Sequence, residues 1–180
     1  RRVPLAGAFP LSATLDSVGP LARSVADCAA ADAVMAGDDH YAPSPRSLAG
    51  LRVAIPRGLL FDGTEPEVMA AFEHALAGME GAGARLADIT IDDLIAQMRA
   101  ATKRGSIAAM EGAEVHADWL AEGAPVPVDP RVSEPLSRAA TIPTPFYIRA
   151  MRRRVELARA MNGRFEAVDI LALPASPVLA

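Results

Sequence analysis

The sequence predicts an α/β fold, part of a mixed β-sheet covered by helices. Three observations carry this. The short apolar run at 51–55, ended by Pro56, has the length and β-branched content of a buried strand. Val68, Met69, Phe72, Leu76 and Met79 then recur at helical spacing and give the next segment one apolar face. A second strand-like run follows at 84–91. Strand, helix, strand in that order is a βαβ unit, which implies parallel strands.

The remaining elements are read from their punctuation. Residues 1–20 are a loop, broken by Pro4, Gly7, Pro10, Gly19 and Pro20. Ser24 with Asp27 three residues on marks a helix start, the Ala-rich run continues to Met35, and Gly37 stops it. Residues 38–50 read as a surface connection. Thr64 and Glu67, with Pro66 in the first turn, start the second helix, and Gly81-Ala82-Gly83 ends it. Helices are predicted at 92–104 and 106–122, split near Gly105, and a Pro-rich loop at 123–130. The longest helix is expected at 146–165, with Ile148, Met151, Val155 and Ala158 as its inward stripe. A third strand is expected at 168–173, running into Pro174.

Composition excludes several function classes. In 180 residues, 51% are hydrophobic and 22% charged, with mean hydropathy +0.20, enough apolar surface to fold. Lys+Arg 18 against Asp+Glu 22 gives a net charge of −4 and argues against a nucleic-acid partner. No apolar run approaches the roughly 20 residues of a membrane span. A single cysteine, Cys28, forms no internal disulfide, and a cytoplasmic location is the expectation.

No G-x-S-x-G elbow, paired-cysteine motif, H-E-x-x-H or phosphate-cradling glycine loop is present, so no metal and no cofactor is expected. Glu111, Glu114 and His116 have the look of a metal half-site, but His116 would leave the face that Glu111 and Glu114 share, and a solvated helix face is the better reading. His74 is expected at the surface, as is His40, and Cys28 as a small buried hydrophobe. Arg149, Arg152, Arg153, Arg154 and Arg159 are read as a solvated basic face, with Arg152 and Glu156 four apart.

The informative stretch runs from Pro10 to Asp27: Pro-Leu-Ser-Ala-Thr-Leu-Asp-Ser-Val-Gly-Pro-Leu-Ala-Arg-Ser-Val-Ala-Asp. Physically it is a polar loop feeding a capped helix, with Arg23 and Asp27 spaced to pair. It resembles the Pro-x-Ser-x-Thr-Leu-Asp-x-x-Gly-Pro-x-Ala-Arg-Ser-Val-x-Asp run of the amidase signature family. The run at 51–56, then Tyr147 to Arg154, Phe165, Asp169 and Leu173-Pro174-Ala175-Ser176-Pro177, are similar to that family's later segments.

The resemblance implies amide hydrolysis through an acyl-enzyme on serine. A serine hydroxyl is a weak nucleophile and needs a base, here a lysine kept neutral near pH 7, with backbone N–H groups holding the oxyanion. It also places this chain downstream of those catalytic residues. Ser12, Ser17, Ser24 and Lys103 do not match them, so the expectation is an internal segment with no catalytic residue of its own. Within one partial domain over 1–180, the resemblance divides the chain into 1–37 behind the catalytic loop, a βαβ unit at 51–91, a helical substrate-side region at 92–166 and a strand at 168–173. Asp16, Arg23 and Asp27 are implied as supports of the active site, and Phe146 and Tyr147 as lining of the substrate pocket. The implied partner is a small-molecule amide, and exposed strand edges would allow a homo-oligomer. The rival implications are the amidase-like component of a tRNA-dependent amidotransferase and a degenerate, non-enzymatic scaffold module.

Overall fold

The computed structural model describes residues 2–38, 46–121 and 127–179. The elements, in chain order, are α1 (Val25–Ala36), β1 (Arg52–Pro56), α2 (Pro66–Gly81), β2 (Arg85–Ile89), α3 (Asp92–Ala101), α4 (Ile107–Val115), α5 (Ala117–Leu120), α6 (Pro130–Ala140), α7 (Thr144–Arg164) and β3 (Ile170–Leu171). They belong to two compact units that interleave along the chain. One holds 1–45 and 102–148, the other 46–101 and 149–180. The stretch expected as one helical region at 92–166 is therefore shared between them.

The second unit is built on a three-stranded sheet of order β2-β1-β3, parallel throughout. Val53, Ala54 and Ile55 of the central strand are fully buried, as strands covered on both faces are. α2 joins β1 to β2. Pro66 occupies its first turn, but the N-cap is Glu65, not the expected Thr64. The Glu65 carboxylate accepts from Leu179 N at 3.0 Å, and its backbone N–H donates to Pro177 O at 2.8 Å. The Pro-x-x-Pro stretch is thus fastened to the head of α2.

β3 is held at the sheet edge by its pairing with β1, by Ala172 N donating to Ala54 O at 2.9 Å, and by Asp169. Asp169 accepts from Arg52 N (2.9 Å) and Arg52 Nη2 (2.8 Å) and donates its own N–H to Arg52 O at 2.8 Å. The hydrogen bonds from the Arg52 side chain and backbone hold the Asp169 carboxyl at about 2. Ile91, Leu94 and Leu157 form the core beside this sheet, with Met98 and Met161 packed on it.

The face of α7 differs from the expected stripe. Ile148 and Val155 are exposed, whereas Phe146, Ala150 and Leu157 are buried. The inward line runs 146, 150, 157, 161, displaced from the expected one. The reason lies in the arginines. Arg153 reaches Gln97 and Glu156, so a guanidinium lies half-buried where a purely solvated basic face was expected. Glu156 pairs with Arg153 and not with Arg152.

The first unit combines the loop at 2–23 with helices. α1 starts and stops as its punctuation requires: Ser24 Oγ accepts from Asp27 N at 3.1 Å, and Gly37, at φ +70°, donates to Val34 O. α4 is capped by Ser106, whose Oγ accepts from Ala109 N. α6 lies in the region expected to be helical, although the sequence reading bounds no helix there and takes Pro130 as the end of a loop; it is capped by Asp129 and opens on Pro130. It buries Leu136 and Ala139 against α4. Packing is tight at Gly112, where a Cβ would lie 2.8 Å from Leu11 Cδ1 and 3.0 Å from Leu136 Cδ2. Cys28 is half-buried, its thiol 4.0 Å from Pro20 O, and His74 is exposed. His40 lies outside the described residues.

Candidate functional site

The site is in the first unit, where the loop carrying the Ser-x-Thr-Leu-Asp run meets α4 and the first turn of α7. Asp16 shapes that loop. Its Oδ2 accepts from Leu11 N at 2.8 Å, and Leu15 N and Asp16 N both donate to Ser12 O. These bonds close a turn that leaves Ser12 1% exposed and directs residues 12 and 14 at α4.

Glu111 of α4 receives them. Oε2 accepts from Ser12 Oγ at 2.5 Å and from Thr14 N at 3.0 Å. Oε1 accepts from Thr14 Oγ1 and from the Tyr147 hydroxyl, both at 2.7 Å. An ionised carboxylate offers about four lone-pair positions, and all four are filled. Burial alone would push this carboxyl up. The bonds from Ser12, Thr14 and Tyr147 outweigh it and hold Glu111 at about 2. The same contact with Glu111, with burial added, pushes the Tyr147 phenol upward, so its proton stays in place.

The solvated-face expectation for Glu111 and His116 is thereby corrected. Glu111 is 8% and His116 9% exposed, because the loop at 9–16 lies over both. His116 Nε2 is 2.8 Å from Pro10 O, and its ring clusters with those of Phe9 and Trp119, at centroid distances of 5.2 and 5.0 Å, with Phe9 and Trp119 themselves 5.4 Å apart. Glu114 stays exposed. Among the described residues no group of three His, Cys, Asp or Glu side chains is arranged to hold a metal.

A cavity of about 450 Å³ opens beside this junction. Thr14, Glu111, Glu114, Thr144 and Tyr147 are its polar lining, and Met110, Ala113, Ala139 and Ile142 supply most of its apolar lining. The residues singled out from sequence are placed differently from one another. Tyr147 lines the cavity, whereas Phe146 is buried behind it with Arg104 over its ring at 5.8 Å. Asp16 braces the loop. Arg23 and Asp27 are exposed, and among the described residues they make no ion pair with each other. Lys103 is exposed and hydrogen-bonds no serine among the described residues.

Ser12, Thr14 and Glu111 were missed as a constellation. One signal was available. Glu111 is a lone acid inside Ile-Ala-Ala-Met-Glu-Gly-Ala, four residues after the buried Ile107, which puts a charge on the helix's apolar side.

Comparison with known proteins places this arrangement. A 2-amino-5-chloromuconic acid deaminase of Comamonas testosteroni is 32% identical over 98% of this chain and 38% of its own length. A component of the glutamyl-tRNA(Gln) amidotransferase of Roseiflexus castenholzii is 27% identical over 99% of this chain and 43% of its own. A crystal structure of an amidase superposes with a TM-score of 0.84 at 27% identity, covering 99% of this chain and 39% of that one. The chain thus spans about two-fifths of the length of these relatives. No helix among the described residues is long and apolar enough to cross a membrane. With all of residues 1–180 matching the Amidase family, the Ser-x-Thr-Leu-Asp loop bolted to Glu111 is a segment of that fold, and the chain belongs to the amidase signature family.

Proposed function

We propose that this chain forms the substrate side of an amidase that hydrolyses a carboxamide to a carboxylate and ammonia or an amine through an acyl-enzyme on serine. One observation carries the reading. The loop that defines the family is fixed, through Glu111, to the wall of a cavity of small-molecule size. The Ser–Lys pair is assigned to the larger share of the relatives' length that this chain does not span, since no serine among the described residues contacts Lys103.

In this reading the chain's residues position rather than react. Asp16 keeps the loop turn closed, so that residues 12 and 14 meet α4 in one register. Arg23 and Asp27 support the start of α1. Tyr147 lines the pocket, and Phe146 backs it. The excluded water and fixed dipoles of such a wall lower the barrier by holding the substrate near its reactive geometry. A cytoplasmic setting and self-association through the sheet edges belong to the same proposal.

The test is on the parent enzyme: a serine-directed phosphonate should give one adduct, located by mass spectrometry on a serine outside residues 1–180. An adduct on Ser12, Ser17 or Ser24 would refute the assignment. The similarity to amidotransferase components supports a second reading, one member of a larger assembly. Co-purification of stoichiometric partner proteins from the source cell would favour it.

A further inference from the structure

Two apolar lines run along α7. One, through Phe146, Ala150 and Leu157, is buried. The other is the line the sequence points to and the fold leaves outside: Ile148, Met151, Val155 and Ala158, spaced by three, four and three residues. Ile148 is 43% and Val155 45% exposed, Ala158 is exposed and Met151 is half-buried. Apolar residues in this alternation form the seam of a helix-on-helix contact, and the residues beside the seam choose the partner by charge. In α7 those flanking residues are Arg152 and Arg159 on one side and Arg154 on the other, with Arg149 further round. None of these four arginines has an ion-pair partner among the described residues, whereas Arg153 pairs with Glu156 and Arg164 with Asp93. The helix carries six arginines against one glutamate, in a chain whose net charge is −4. Positive charge is therefore gathered against the trend of the molecule and left uncompensated beside an exposed apolar seam.

We propose that the outer face of α7 is a docking surface for an acidic amphipathic helix of a separate partner protein, apolar along its seam and flanked by Asp or Glu. Charge selects this occupant. A second copy of α7, parallel or antiparallel, would set arginine against arginine on both flanks, and like charges across a seam destabilise it. An uncharged apolar segment would cover the seam and gain nothing from the arginines. A helix with acids beside its seam satisfies both features. Val155, in the middle of the seam, should carry affinity, and the rim arginines should carry partner choice. The proposal goes beyond the amidase reading and does not depend on it.

The experiment uses the 180-residue chain with labelled isoleucine and methionine methyls, and two helical peptides of about 20 residues, long enough for such a seam. Both peptides carry Leu along the seam. One has Glu on its flanks and the other Lys, so neither pairs with itself. The Glu peptide should shift the Ile148 and Met151 signals and bind about tenfold more tightly than the Lys peptide at low salt, with the gap narrowing as salt is raised. The chain's overall negative charge works against this result, so the preference has to come from α7. Val155→Asp should weaken the Glu peptide by about tenfold or more and leave the urea midpoint in place. Arg152→Glu combined with Arg159→Glu should invert the preference. Equal binding of the two peptides, no binding of either, or shifts confined to other methyls would overturn the proposal. So would a urea midpoint lowered by Val155→Asp, which would put the seam in the interior. Three further results would name another occupant and overturn it as well: dimerisation in sedimentation that Val155→Asp abolishes, binding of vesicles of phosphatidylglycerol and phosphatidylcholine without binding of the Glu peptide, and a Val155→Cys thiol that maleimide cannot reach in the purified parent enzyme. The expected result in the parent is a thiol that is labelled and that the Glu peptide protects.

Discussion

A carboxylate buried under a loop is stable only when its lone pairs are filled, and Glu111 meets that condition with three residues from two distant stretches of chain. Removing it leaves Ser12 Oγ buried with no acceptor. Glu111→Ala should therefore cost about 2–4 kcal/mol, read from urea unfolding. Asp16→Ala removes the acceptor of Leu11 N at a half-buried side chain, and a loss of about 1 kcal/mol is expected. The pH dependence has a definite sign. Glu111 is held at about 2 when folded, against an ordinary 4.5, so between those values the unfolded chain binds more protons. The stability this contributes is complete above about pH 4.5 and is lost as pH falls toward 2. It should amount to about 2 kcal/mol, allowing for solvent on the open side of the cavity. Asp169, depressed by Arg52, acts in the same window and with the same sign. Urea midpoints measured from about pH 5.5 to about pH 2.5 should fall steadily, and the slope should be shallower in Glu111→Gln.

The elements show how single positions fix packing. In α7 the buried line passes through Leu157, so Leu157→Asp buries an unpaired charge against Ile91 and Leu94 and should cost more than about 3 kcal/mol. Val155→Asp, two residues away on an exposed face, should stay within about 0.5 kcal/mol. Similar melting temperatures for the two variants would show that the face is wrongly assigned. In α4, Gly112 trades helix propensity for closeness. Alanine would gain about 1 kcal/mol as a helix former. Its Cβ, however, would press on Leu11 and Leu136, and overpacking of this kind costs about 1–3 kcal/mol. Gly112→Ala should be destabilising on balance, and it should loosen the Ser12–Glu111 contact, visible as faster amide exchange at Thr14.

At the scale of the whole molecule, the two units interleave: the chain leaves the first at 45, returns to it at 102 and departs again within α7. Neither unit is a continuous piece of sequence, so cutting the chain between 91 and 92 should leave no folded half. Circular dichroism of the two halves apart should show far less helix than the intact chain. The 180-residue chain, offered aliphatic and aromatic amides, should release no ammonia above background, because catalysis by a serine hydrolase without its nucleophile and base survives only through an oxyanion hole. Turnover that vanishes in Lys103→Ala would instead make Lys103 the base.

The sequence by itself determined what depends on neighbours in the chain. The caps at Ser24 and Gly37, the strand ending at Pro56 and the parallel βαβ order all follow from local propensity and punctuation. The Ser-x-Thr-Leu-Asp run carried the family, and in this chain its Asp16 and Ser12 close the turn through bonds within the run's own neighbourhood. Asp129-Pro130, a helix-start signal, was equally legible but was absorbed into the loop before it. Only the tertiary structure decided the rest. Whether Glu111 is a solvated acid or a buried hub depends on a loop about a hundred residues away, and no spacing within α4 encodes that. The face of α7 turned on Arg153, whose guanidinium donates to the Gln97 amide oxygen on another helix, so the charged residue lies half-buried and the apolar Val155 faces out. Periodicity ranks residues by polarity alone. Burial is settled by which polar groups find partners once distant segments meet, and at Glu111 those partners made a charge part of the interior.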